Sequence, residues 1–359
     1  MRRCMNDAMV TRACLLALVL GLSLAACTFV TPGGGVARQA SPPGAGATFA
    51  TLGVVPPKLP RPGPGQSCPL SNMTQLGPHL GMALGSGPVY LFNGETVRSN
   101  PEHSNKVVWA ADPSYSGPIR IRGGRIDASG ELLLDSFDNK WQGASAKTVD
   151  GSKLTSELDL LVSHSTFPNV PSGWRMWPSG MYVANVGCYA LQVDGLGFTE
   201  LITFHSLDLP TLQAGAACPV SAQQVAHNLD AEFGSGPAVG SGPIYALMVE
   251  MQEGVLRYSQ SYSQVHYKDG WASSKVLWMA KPEVHGPILV RGQQIDGDNW
   301  IGFGMGDTPD FVLHWEAASR KGWASFPSET RIRAPGCYAY QVDSQKGSEM
   351  IVFKVVGIP

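Results

Sequence analysis

The side chains of this 359-residue chain that could do chemistry are few and poorly spaced for it. Its eight histidines, at positions 79, 103, 164, 205, 227, 266, 285 and 314, have no metal-ligand spacing and do not recur in register. No HExxH, GxSxG or GxxxxGKS/T is present, and no GxGxxG joins a strand to a helix. The stretch DGDNWIGFGMGD from Asp296 begins like a calcium loop. Trp300 and Ile301 then occupy its fifth and sixth positions, where a sharp turn needs glycine, and Asp307 closes it in place of glutamate. Asp135, Asp138, Asp307 and Asp310 are the only loosely grouped carboxylates a hydrolase could use. The pattern implies no cofactor, no metal and no catalytic residue.

Cysteine carries most of the remaining information. Seven are present, and the first three, Cys4, Cys14 and Cys27, lie in or at the end of a basic leader followed by the apolar run ACLLALVLGLSLA. That run has the length of an export signal and is too short to span a bilayer comfortably. Leu24-Ala25-Ala26-Cys27 resembles the lipobox of bacterial lipoproteins. The resemblance implies removal of residues 1–26 and a diacylglycerol on Cys27, and Thr28 provides no inner-membrane retention signal. It places the protein outside the cytoplasm, lipid-anchored at the outer face of the cell membrane or in the outer membrane.

Residues 27–66 are dominated by Gly, Pro, Ala and Ser, a composition that buries too little apolar surface to offset ordering entropy. They read as a disordered tether. Lys and Arg (26) nearly balance Asp and Glu (28), so no charge argument favours nucleic acid as a partner.

Beyond the tether the chain repeats itself. KVVWAADPSYSGPIRIRGGRID from Lys106 and KVLWMAKPEVHGPILVRGQQID from Lys275 share twelve of 22 positions. GSGPVY or GSGPIY precedes each block, and GCYALQVDG or GCYAYQVDS follows it. The four remaining cysteines belong to the repeat. Of three possible connectivities, only Cys68 with Cys188 and Cys218 with Cys337 repeats with it.

Periodicity inside each half is that of strands: in PIRIRG, Ile119 and Ile121 alternate with Arg120 and Arg122. SAQQVAHNLDAEF from Ser221 predicts one short capped helix. Short strands with Gly/Pro turns predict an all-β protein, two tandem Ig-like antiparallel β-sandwich domains at 67–209 and 210–359, from an internal duplication. The end of each half also resembles Ig-like domains of exported bacterial proteins, which finish on a Gly-x-Tyr strand and one further strand, here ELITF and EMIVFKVV. Alternation puts Tyr189, Leu191 and Val193 on the core face and Cys188 on the other, so each disulfide should staple a strand entry outside the core. Trp109 and Trp278 read as core. Arg122 with Asp127, and Arg291 with Asp296, read as recurring structural salt bridges.

Residues 167–181 concentrate Trp174 and Trp177 with three prolines in what reads as a loop the second half lacks, and Trp141 lies in the insertion before it. Aromatic rings on stiff loops suit binding of a protein or an envelope polysaccharide. The sequence therefore supports a non-enzymatic, lipid-anchored binding or adhesion protein. The alternatives are a carbohydrate-binding lipoprotein using these tryptophans and a hydrolase with an unrecognised carboxylate site.

Overall fold

The computed structural model describes residues 52, 56–63, 66–77, 80–100, 104–136, 154–160, 170–213, 215–224, 238–248, 251–252, 254–257, 270–318 and 322–357. Cys27, Trp141 and Asp138 lie outside them, as do residues 1–26. The described chain is all-β and forms two immunoglobulin-like sandwiches.

In the first sandwich one sheet has six strands: β1 (Met73–Gln75), β2 (Met82–Leu84), β3 (Val89–Phe92), β4 (Asn105–Ala111), β8 (Arg175–Val183) and β6 (Leu132–Ser136), in that spatial order. Facing it are β10 (Phe198–His205), β9 (Cys188–Gly195), β5 (Ile119–Arg125) and β7 (Glu157–Leu160). The second sandwich repeats the plan. One sheet orders β11 (Gln223–Gln224), β12 (Ala238–Val239), β13 (Ile244–Met248), β16 (Ala272–Ala280), β20 (Ala324–Ile332) and β18 (Gly302–Phe303). The other orders β14 (Met251–Gln252), β15 (Val255–Arg257), β22 (Gly347–Val356), β21 (Gly336–Ser344), β17 (Gly286–Gln294) and β19 (Val312–Ala317). Among the described strands only β15 and β22 pair in parallel. Ser221, expected to cap a helix, instead exchanges bonds with Val352: its main-chain N–H donates to the Val352 carbonyl at 2.9 Å and its hydroxyl accepts the Val352 N–H at 2.8 Å.

The alternation visible in the sequence fills the space between the sheets. Ile119, Ile121, Tyr189, Leu191 and Val193 meet Trp109, Val107 and Leu91 from the opposite sheet, and all are fully buried. Trp278, Ile288, Val290, Tyr338 and Tyr340 do the same in the second half. Burying side chains of this size stabilises by about 1.5–3 kcal/mol each.

The repeated GCY strand has a compound role. The Tyr189 hydroxyl donates to the Asn185 carbonyl at 2.6 Å and that of Tyr338 to the Ala334 carbonyl at 2.7 Å, four residues upstream in each case. This is the tyrosine corner of immunoglobulin-like folds, which satisfies a buried hydroxyl and fixes how the chain enters the strand. Cys188 bonds Cys68 with 5.4 Å between their Cα atoms, and Cys337 bonds Cys218 with 5.5 Å. Both staples lie outside the main cores, Cys188 against Leu59, Ile126 and Ala190, and Cys337 against Leu209, Leu212 and Ile295. Asp296 is no partner of Arg291; its Oδ1 accepts the Cys337 N–H at 2.9 Å. In the first half Asp127 pairs with Arg125 at 2.6 Å rather than with Arg122.

GSGP is held the same way in each half. Gly87 and Gly242 have φ of +92° and +83°, and a Cβ on either would stand 2.3 or 2.2 Å from the hydroxyl of Tyr90 or Tyr245, so only glycine fits. One carboxylate oxygen of Glu200, reaching across from the facing sheet, accepts both the N–H and the hydroxyl of Ser86. Glu349 Oε1 accepts the Ser241 N–H at 2.5 Å, its hydroxyl at 3.0 Å and the Gly242 N–H at 2.9 Å.

Each disulfide closes a loop of about the same length, with separations of 120 and 119 residues. Cys188→Ser should lower the stability of the first sandwich by about 2–5 kcal/mol in denaturant titration while leaving its β-sheet circular dichroism intact. A loss confined to the second sandwich would contradict this pairing.

Candidate functional site

The polar residues that recur between the halves gather on the outer faces of the β9/β5 and β21/β17 sheets. Arg122 stands directly opposite Gln192 in register, and Arg291 opposite Gln341. Because side chains alternate, the isoleucine or valine beside each arginine enters the core and the arginine points outward. Arg122 Nη2 donates to Asp194 Oδ2 at 2.6 Å, Gln192 Nε2 lies 2.9 Å from both Asp194 oxygens, and the Thr199 hydroxyl adds a third donor at 2.8 Å. Burial raises the Asp194 carboxyl's pKa, but these donors outweigh it and hold the group below its usual range. In the second sandwich Arg291 pairs with Asp343, and Gln341 Nε2 lies 3.1 Å from both of its oxygens. The structure thus replaces the expected partners Asp127 and Asp296 with Asp194 and Asp343. Asp127 and Asp296 lie past the ends of β5 and β17 and turn to other partners, whereas the adjacent strand places a carboxylate alongside each arginine.

The two clusters meet different surroundings. Arg291 is 0 % exposed, because the first sandwich covers it. Its Nη1 donates to the main-chain carbonyls of Glu95 and, at 3.0 Å, His205. Gln341 accepts the Asp208 N–H at 2.7 Å and donates to the Ser206 carbonyl at 3.2 Å. Arg98 reaches the other way, bonding Gln293 and lying 4.2 Å over the Trp300 ring. The Glu95 side chain is carried into this joint, and burial, opposed by its own backbone and Arg291, raises its pKa to about 7. Burial and the Arg291 charge lower that of His205. Around the first cluster lies a cavity of about 480 Å³, lined by Leu52, Pro56, Lys58, Thr199 and Leu201.

The expected aromatic loop is built otherwise. From Arg175 onward it is strand β8, in which Trp177 pairs with Trp109 and is 7 % exposed, part of the core. Trp174 is half-buried, its ring 6.0 Å from Tyr90 on the outer face. The second half does not lack this segment: GWRMWPS from Gly173 matches GWASFPS from Gly322, and Trp323 lies 5.9 Å from Tyr245 just as Trp174 does from Tyr90. These indoles are therefore parts of the repeated fold, and among the described residues no tryptophan is exposed. Of the described carboxylates considered for a hydrolase, Asp135 is on β6 of the first sandwich, while Asp310 sits in a strand bridge with Phe303 in the second. Among the described residues no group of His, Cys, Asp and Glu could hold a metal.

Besides Leu201 of the first sandwich and Met350 on β22, large apolar side chains are exposed in one segment of the second sandwich, after β18. Met305 is 75 % exposed and Phe311 42 %. The Phe311 ring lies 6.0 Å from Trp300 and 6.4 Å from Trp271, and Arg333 stacks 4.3 Å over Trp271. The loop carrying Met305 is fixed from beneath. Buried Arg331 donates to the carbonyls of Gly304 at 2.6 Å and Gly306 at 2.5 Å, and Phe303 and Asp310 exchange two main-chain bonds, at 2.7 and 3.1 Å, across its base. Sequence reasoning missed it, although GFGMGDTPDF is a glycine-rich stretch carrying a lone methionine.

No protein-family model matches the chain, and no curated protein does. Among solved structures it is similar to the D0-D1 domain of intimin, with 6% identity over 75% of this chain and 98% of that one, TM-score 0.20. It is also similar to domains 5-6 of the S-layer protein SbsC (6% identity, 77% and 100% covered, TM-score 0.19) and to the Yersinia pseudotuberculosis adhesin InvE (9% identity, 79% and 60% covered, TM-score 0.19). Scores this low carry no argument; the fold assignment rests on the strand pairing.

The buried carboxyl at the joint gives a pH signature. Its folded pKa of about 7 exceeds the ordinary 4.5, so the folded state holds the proton more tightly than the unfolded chain. The associated stability is fully present below about pH 4.5, is lost as the pH rises through 7, and amounts to about 3 kcal/mol. Glu95→Gln should remove this component. The difference in unfolding free energy between variant and parent should grow in the variant's favour from pH 5 to pH 8; a difference independent of pH would place the carboxyl in water.

Proposed function

We propose that this chain is an exported, lipid-anchored, non-enzymatic binding protein, displayed on a tether and contacting a protein or envelope polymer through the Met305, Phe311 and Trp300 surface. One observation carries the reading: a buried arginine is committed to holding a loop whose tip exposes methionine, beside aromatic rings and Arg333. Methionine, aromatic residues and arginine are enriched at protein interfaces, and a loop already fixed loses little entropy on docking. Disulfides in both sandwiches support life outside the reducing cytoplasm. The Leu24–Cys27 motif supports anchoring through Cys27, and the Gly/Pro-rich segment after it supports display away from the bilayer.

Two measurements test this. Cys27→Ala should move the protein from the membrane to the soluble fraction or leave its leader uncleaved; an unchanged distribution removes the anchor from the reading. Binding of the parent to envelope protein and to purified cell-wall polymer should be compared with that of a Met305→Ala, Phe311→Ala double variant. We expect about 2 kcal/mol or more of lost binding with melting little changed. Equal binding by the two proteins would move the contact elsewhere, and no binding by the parent to either class would reject the function.

A further inference from the structure

The connector leading into each sandwich follows one pattern. Lys58-Leu59-Pro60 stands ten residues before Cys68 as Asp208-Leu209-Pro210 stands before Cys218. In the second sandwich the Asp208 N–H donates to Gln341 Oε1 at 2.7 Å, and Leu209 packs beside the disulfide at Cys337, Ala339 and Val352. In the first, the Lys58 N–H donates to Gln192 Oε1 at 2.6 Å, and Leu59 packs at Cys188, Ile126 and Ala190. Pro56 lines the same cavity as Arg122, Gln192 and Asp194. The occupant that Gln341 receives is the end of a folded domain; the one Gln192 receives is the end of the Gly/Pro-rich segment.

We propose that Arg122, Gln192 and Asp194 form a docking socket whose ligand is the chain's own connector, residues 56–59, gripped in the place the preceding domain's last residues take in the second sandwich. Gln192 is the hand of the socket. Its amide nitrogen is committed to Asp194, which turns the carbonyl oxygen toward the incoming main-chain N–H. Leu59, partly buried, packs beside the disulfide. The consequence is one of reach. The stretch from Pro56 to Cys68 extends at most about 40 Å, and a seated connector withholds that slack from the chain before it and fixes the face at which the first sandwich receives it. This inference depends neither on lipid at Cys27 nor on any ligand of the Met305 surface.

Limited trypsin digestion of the full exported chain, followed by mass spectrometry of the Lys58–Leu59 bond, reads the docking directly; the adjacent Arg61–Pro62 bond resists trypsin. Cleavage in the parent should be at least tenfold slower than in a free peptide covering residues 52–66. Gln192→Ala should restore most of that rate with melting of the second sandwich unchanged. Leu59→Ser, which leaves the sheets untouched, should do the same if the first substitution impairs folding. Parent cleavage as fast as the free peptide's would overturn the proposal, as would protection that both variants retain.

Discussion

The guanidinium of Arg291 is the group on which the joint between the sandwiches turns. Its residue is 0 % exposed, and stripping a charge of that size of water costs several kcal/mol unless a counter-charge and hydrogen-bond acceptors replace the lost hydration. Asp343 supplies the charge from the same sheet. The acceptors are the carbonyls of Glu95 and His205, and these belong to the other sandwich. The outer face of β17 and β21 is therefore electrostatically incomplete by itself, and the first sandwich is part of its solvation. Covering Arg291 has its own cost, since it takes the Glu95 side chain out of water, and that is why this carboxyl holds its proton so far above the usual range.

This account separates recurrence from catalysis. Arg, Gln and Asp recur at matched positions, a pattern an active site would also show, yet the polar contacts of the second cluster run to its own members or to the preceding sandwich. Duplication copied the socket with the fold, and what entered each copy then differed. The aromatic loop at Met305 went the other way. Arg331, which pins it, aligns with Tyr182 in the first half, so the pinning residue is not repeated. A loop held by a buried cation that the other half does not share is a feature the repeated fold alone does not require.

Much of the fold was legible because it depends on short-range pattern: the strand alternation, the cysteine repeat, the core positions of Trp109 and Trp278. What was not legible depends on register between strands distant in sequence. Arg122 and Asp127 are near neighbours in the chain, but Asp127 lies beyond the end of β5 and pairs with Arg125, while Asp194, 72 residues on, lies 2.6 Å from Arg122. The misread segment at 167–181 has a different cause. Pro178 lies inside β8, a strand paired on both sides, and proline argues against a central strand because it has no N–H to give the ladder. With that stretch taken as a loop, Trp177 became a surface anchor. The alternation of Trp177, Ser179, Met181 and Val183, all buried, and the match to Phe326 in GWASFPS, were the signals that could have placed it in the core.

The same physics relates two joints of the first sandwich. In one it completes the hydration shell of Arg291; in the other its Gln192 holds the connector by a single main-chain hydrogen bond, with Leu59 packed beside the disulfide. A joint in which a buried cation takes its acceptors from the other sandwich, with further main-chain bonds across it, opens only at considerable cost, whereas one neutral hydrogen bond contributes about 1 kcal/mol net. Pulling on the chain from its N-terminal side should therefore free the connector long before it separates the sandwiches. The weaker of the two joints is the one on the N-terminal side of Cys68.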